Sequence, residues 1–220
     1  MAAHIFPLHP VATSDRPRTG LEPGTIAAPA PQRRAPVRDV PLPTTGAHPP
    51  LFAVLGAHGG AGTSTLARWW AHSADTGRAW PAHPRTTQRV VIAARDCLPG
   101  LTAAADRLRE WHAGLTPDGV TVIGLALTAA RPGRVPAAVR RYRRTVADLV
   151  DGAVWNIAWH DDLLVHDLTD LAQLTPADLA PPRRARLTQA VPADVHRAAT
   201  AITTVIVAAH RTDPVPGSHP

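Results

Sequence analysis

Between residues 51 and 209 the apolar residues come in short blocks whose periods alternate. Residues 51–55 form a continuous apolar run, as in a strand covered on both faces of a parallel sheet. Residues 64–75 place Leu66, Trp69 and Trp70 at spacings of three and four, which predicts a helix with both indoles as core anchors. Residues 71–88 carry Gly77, Pro81 and Pro84 among polar residues and predict a long connection. A second buried strand is predicted over 89–94. The next helix starts near Leu101, shows Leu101, Ala104, Ala105, Leu108 and Trp111 on one side, and stops at Gly114. A strand over 120–127, a helix over 135–150 and a strand over 153–159 continue the series. Residues 163–192 are polar and broken by proline, and 193–209 set Val195, Ala199, Ile202 and Ile206 at helical spacing, predicting a closing helix. Strand and helix in alternation predict an α/β fold: a parallel sheet with right-handed crossovers, flanked by helices.

The first 50 residues break this pattern, with eleven prolines and no sustained period. Such a segment buries too little surface to offset the entropy of ordering it, so residues 1–49 are expected to be a disordered Pro-rich arm. The folded domain is expected over 50–212, with a flexible tail over 213–220.

Composition narrows the setting. With 220 residues, the chain suits one domain of ordinary size, and its formal net charge of +6 permits an acidic partner without requiring one. A single cysteine, Cys97, excludes an internal disulfide framework and suits a reducing cytoplasm. No apolar run approaches the ~18 residues of a membrane span, so a cytoplasmic protein without a transmembrane segment is expected. All 23 basic residues are arginine, and the chain contains no lysine.

Candidate chemistry is concentrated after the first strand. Gly56-Ala57-His58-Gly59-Gly60-Ala61-Gly62-Thr63-Ser64-Thr65 reads as a strand end, a glycine-rich turn and the start of a helix. That arrangement aims backbone N–H groups at a phosphate. Taken with Gly56 as its first glycine, the stretch is read as G-x-x-x-x-G-K-[ST], with Thr63 standing where the motif has lysine. Gly59, Gly60 and Gly62 permit positive φ and close approach of a ligand, and the Ser64 hydroxyl takes the place that holds Mg²⁺.

The residues His58-Gly59-Gly60-Ala61-Gly62-Thr63-Ser64-Thr65 resemble the deviant Walker A loop of the MinD/ParA class of P-loop ATPases, K-G-G-x-G-K-[ST]-T. The glycines and both hydroxyls match, and His58 and Thr63 replace the two lysines. The resemblance implies a P-loop NTPase-like sheet of reduced size, spanning residue 51 to about residue 164. It implies ATP or another nucleotide as ligand, with Mg²⁺, held by Gly56, His58, Gly59, Gly60, Ala61, Gly62, Thr63, Ser64 and Thr65. In that family one lysine acts across a nucleotide-sandwiched dimer and the other holds the β- and γ-phosphates. Their replacement implies a degenerate member that binds nucleotide weakly or without hydrolysis and acts as a regulator or adaptor. Its action would run through a protein partner or self-association, in mobile-element, partition or secretion systems. The family also places an Asp after a later strand to hold the metal, for which Asp96 is the nearest analogue, so Ser64 and Asp96 are the expected metal residues. The turn after the last strand contacts the base there, which points to His160, Asp161 and Asp162.

Two other readings stay open. In one the chain is a slow ATPase in which an arginine, Arg95 or Arg131 or one from another subunit, replaces the lysine. In the other it is an interaction module without nucleotide. Arg131, Arg134, Arg140, Arg141, Arg143 and Arg144 put six positive charges into fourteen residues. Arg140, Arg141 and Arg144 point away from the apolar side of the predicted helix, so with Arg131 and Arg134 they form a basic surface for DNA or an acidic protein. Other signatures fail. Gly62-Thr63-Ser64-Thr65-Leu66 lacks the last glycine of a nucleophile elbow. Thr65 ends what would be a dinucleotide fingerprint. Asp161, Asp162, Asp167 and Asp170 with His160 and His166 match no metal-ligand spacing.

Overall fold

The computed structural model describes residues 26–44, 48–175, 178–182 and 185–212. In chain order the elements are β1 (Val37–Arg38), β2 (Phe52–Gly56), α1 (Thr63–Trp69), β3 (Ser73–Asp75), β4 (Trp80–Pro81), β5 (Arg89–Arg95), α2 (Leu98–His112), β6 (Thr121–Thr128), α3 (Ala137–Asp148), β7 (Val154–Ile157) and α4 (Ala193–Thr212). Five strands form a parallel sheet in the order β3-β2-β5-β6-β7, and β1 pairs with β4 in a separate two-stranded ladder. From β2 the chain crosses to β3 on one side and then builds β5, β6 and β7 on the other. This is an open doubly wound sheet, and sheets of this kind that bind ligands do so at the C-terminal ends of the two strands where the direction of growth switches. Here those strands are β2 and β5.

Alternation along the strands divides the core in two. Ala53 and Leu55 of β2, Val90, Ile92 and Ala94 of β5 and Leu125 and Leu127 of β6 face α2 and α3. Phe52 and Val54, Val91 and Ala93, and Ala126 face α1 and α4, where Leu66, Trp69, Val195, Ala199, Ile202 and Ile206 cover them. Both faces are sealed, which is why β2 and β5 read as unbroken apolar runs. The parity carries past the strand ends. Arg95 emerges on the α1 side and Asp96 on the α3 side.

Two expectations change. The helix predicted over 64–75 ends at Trp69, and residues within the predicted connection form β3 and β4. Trp69 and Trp70 are adjacent and both buried, and a helix offers neighbouring residues different directions. The chain leaves the helix at Trp70, whose ring packs on Phe52 at 5.8 Å while its indole N–H donates to the Val195 carbonyl at 3.2 Å. Ser73, Ala74 and Asp75 then pair with Phe52, Ala53 and Val54. Their composition has low strand propensity, and the pairing with β2 overrides it.

The second change concerns the arm. Residues 1–25 and the tail over 213–220 lie outside the described residues, but 26–44 are docked on the domain rather than disordered. Leu42 is buried in the α2-side core, and β1 adds to β4 with Val37 opposite Trp80. No helix among the described residues is long and apolar enough to cross a membrane.

Candidate functional site

The crevice end of the sheet holds the glycine-rich loop. Counted back from Gly62, the first glycine position of G-x-x-x-x-G-K-[ST] falls on Ala57, and Gly56 closes β2 one residue earlier. Gly56 lacks a Cβ for a different reason: one built there would sit 2.6 Å from Thr63 Oγ1 and 3.2 Å from the Gly77 carbonyl oxygen. Thr63 is therefore packed down against the end of β2. Gly60 and Gly62 take positive φ, 76° and 88°, which L-residues rarely adopt. Among the described residues, the N–H groups of Gly59, Gly60, Ala61 and Gly62 donate no hydrogen bond. Four consecutive donors without an acceptor form a concavity suited to an anion.

The sides of the loop are fixed by five side chains. Ser64 donates its hydroxyl to Asp75 Oδ2 at 2.6 Å, and the other oxygen, Oδ1, accepts the Gly77 N–H at 2.6 Å. The Thr128 hydroxyl, at the end of β6, donates to the Ala61 carbonyl at 3.0 Å. Arg95 reaches over from the end of β5, with Nε donating to the Gly60 carbonyl at 2.8 Å and Nη1 to the Ala129 carbonyl at 2.7 Å. His58 uses both ring nitrogens: Nε2 accepts the Arg95 N–H at 3.1 Å and Nδ1 lies 2.7 Å from the Gly59 carbonyl, to which it donates. That pattern requires the neutral Nδ1–H tautomer. The cation at the loop is thus Arg95, with His58 as a neutral strut.

Asp96 is not brought to Ser64. It forms an ion pair with Arg143 of α3 at 2.9 Å, and the same Arg143 nitrogen donates to Asn156 Oδ1 at 3.2 Å. The reason is strand parity, which sends Asp96 to the face opposite the loop. Asp75 holds the position against the serine, at the end of a strand hidden inside a predicted helix. Asp75 and Thr128 are the residues that sequence reasoning missed. The available signal for Asp75 was a carboxylate two residues before Gly77 within a segment too rich in turn residues to continue a helix.

A cavity of about 240 Å³ opens beside the loop, between α1 and the ends of β6 and β7. Thr65, Arg95 and His160 supply its polar walls, and Trp69, Ile157 and Leu163 its apolar ones. His160 stands edge-to-face on Trp69 at 5.8 Å and pairs through Nε2 with Asp194 Oδ2 at 3.2 Å, which also accepts the Ala158 N–H at 2.7 Å. Burial by itself raises the Asp194 pKa. The hydrogen bonds from His160 and Ala158, together with the His160 charge, outweigh that and hold the carboxyl below its ordinary value.

No protein-family model, curated protein or solved structure matches the chain. The site is therefore read from its own chemistry.

The remaining candidates are spread out. Arg140, Arg141 and Arg144 are exposed on α3, away from buried Val139 and Val146. Arg140 donates to the Val135 carbonyl at 2.6 Å and Arg131 to the Arg134 carbonyl at 3.3 Å. Asp161 accepts the Trp159 indole N–H at 2.7 Å. Among the described residues no group of three or more His, Cys, Asp or Glu is arranged to hold a metal.

Proposed function

We propose that the chain is a nucleotide-binding regulator of the deviant Walker A type, holding phosphates on residues 59–64 and the base in the cavity beside α1. The observation that carries this reading is the run of N–H groups at Gly59, Gly60, Ala61 and Gly62 that find no acceptor among the described residues, set next to the Ser64–Asp75 pair. A hydroxyl and a carboxylate are hard oxygen donors of the kind Mg²⁺ takes, and a cation held by only these two draws its other ligands from phosphate oxygens and water. When bound, Mg²⁺ would neutralise phosphate charge at this edge of the loop. Arg95 takes over part of the missing lysine's role, since its guanidinium is tied to the Gly60 carbonyl. The apolar walls formed by Trp69, Ile157 and Leu163 suit the faces of a base, with His160 held by Asp194 at the rim.

Hydrolysis is slow or absent in this reading. Phosphoryl transfer depends on positive charge placed on the transferring group, and Arg95 is engaged by two carbonyls of its own chain. The protein then acts by what it binds in its nucleotide-loaded form, a protein partner or a second copy. A melting experiment on the full chain tests the reading. Millimolar MgATP is expected to raise Tm, with ADP and GTP as comparisons, and no shift with any of them would remove nucleotide from the account.

A further inference from the structure

Residues 33–38 lie across α2 as a strap. Arg33 pairs with Asp106 at 2.9 Å, its carbonyl accepts from Arg107, and the Ala35 N–H is shared by both oxygens of Glu110 at 3.0 and 3.1 Å. The Pro36 and Arg38 carbonyls accept the N–H groups of Trp80 and Ala82, each at 2.9 Å. Val37 and Val40 remain 55% and 53% exposed. Leu42, further along, is buried in the α2-side core, so the strap itself is held by polar and backbone contacts beside one apolar anchor, and a segment attached in this way opens locally while that anchor stays seated.

The surface it grips leads to the glycine loop. Glu110 also accepts the Trp80 indole N–H at 2.7 Å, so strap and β4 share one buried carboxylate. Three residues before Trp80, the Gly77 carbonyl accepts the Gly56 N–H at 2.7 Å, and the Gly77 N–H returns to Asp75, which holds Ser64. One short turn, 75–80, is therefore pinned at one end by the loop and at the other by the strap. We propose that residues 33–38 regulate the phosphate loop: docked, they hold the 75–80 turn under Gly56 and Ser64, and released, they loosen both. Linkage makes the effect reciprocal, so a ligand that tightens the loop also tightens the strap. The effect on ligand affinity rests on the nucleotide reading above, while the coupling of strap to loop does not.

Hydrogen exchange on the full chain tests the coupling. Ala35→Pro removes the N–H that Glu110 accepts, and Arg33→Glu sets a like charge against Asp106 from a side chain that is 54% exposed, so the second variant serves if the first does not fold. Each is expected to raise exchange at the Gly56 amide about tenfold or more, with the Ile92 and Leu125 amides of the sheet core unchanged. MgATP affinity is expected to fall roughly fivefold to tenfold in the same variants, the lower part of the usual range for coupled sites. Unchanged exchange at Gly56 in a variant whose 33–38 amides exchange freely overturns the proposal, as does a rise that Ile92 and Leu125 share. A rise confined to Gly56 together with no MgATP binding by the wild type upholds the coupling and rejects the nucleotide reading.

Discussion

Ser64 and Asp75 meet at 2.6 Å across the junction of α1 and β3. They lie eleven residues apart, and the hydroxyl donates to a carboxylate oxygen whose twin is held by the Gly77 amide. The pair ties the loop to the neighbouring strand, and it supplies two oxygen donors on the loop's edge.

If that pair holds Mg²⁺, Asp75→Asn should lower affinity for MgATP by roughly tenfold to a hundredfold, the weight of one or two contacts to a charged group. Ser64→Ala should act in the same direction. Both effects should shrink when EDTA replaces the metal. Titration by calorimetry in both buffers measures this, and equal losses with and without metal would argue against a cation at this place.

Thr63→Lys restores the one residue type the chain lacks altogether. Because Thr63 Oγ1 already abuts Gly56, a longer side chain has to extend outward over the loop. Affinity for ATP is expected to rise about tenfold or more. An unchanged dissociation constant would mean that the loop does not receive phosphate.

Glu110 is only 1% exposed, and it joins the Ala35 N–H, the Trp80 indole and Arg107, the last at 2.8 Å. Removing one member of such a buried set leaves Arg107 unpaired, so Glu110→Ala should destabilise the fold by about 3–5 kcal/mol, read as a lower urea midpoint. A loss well under ~1 kcal/mol would show that the arm and α2 are not held together through this carboxylate.

His72 sits edge-on against Phe52 at 5.5 Å. Burial lowers its pKa below the usual 6.5, and a backbone contact from Leu174 offsets part of this. A histidine whose folded pKa is depressed binds its proton more readily when unfolded. Its contribution to stability is therefore complete above about pH 6.5 and is lost as the pH falls toward the folded pKa. His72→Gln should flatten the fall in stability between about pH 7 and pH 5 relative to wild type. Parallel curves for the two proteins in urea titrations across that range would contradict this.

Much of the frame was legible because burial on both faces leaves a plain signature. The apolar runs at 51–55, 89–94 and 120–127 mark the three central strands, and the spacing of Val195, Ala199, Ile202 and Ile206 marks α4. The glycines of the loop were legible because only glycine tolerates φ values such as those at Gly60 and Gly62. By contrast, β3 is three residues of weak propensity, and its strand state comes from pairing with β2. The docked arm was hidden for a related reason. Residues 33–38 satisfy backbone groups and ion pairs supplied by Asp106, Arg107, Glu110 and Trp80, none of them near it in the chain.

The amino-acid sequence by itself determined the alternating α/β order, the place of the glycine loop after the first core strand, and the absence of any lysine to serve it. Those are local properties, written in period, conformational freedom and residue type. Only the tertiary structure decided which carboxylate meets Ser64, which cation reaches Gly60, and that residues 26–44 lie on the domain. Strand order and side-chain parity made those choices: β3 beside β2 brings Asp75 to the loop, and consecutive residues at the end of β5 send Arg95 to one face and Asp96 to the other.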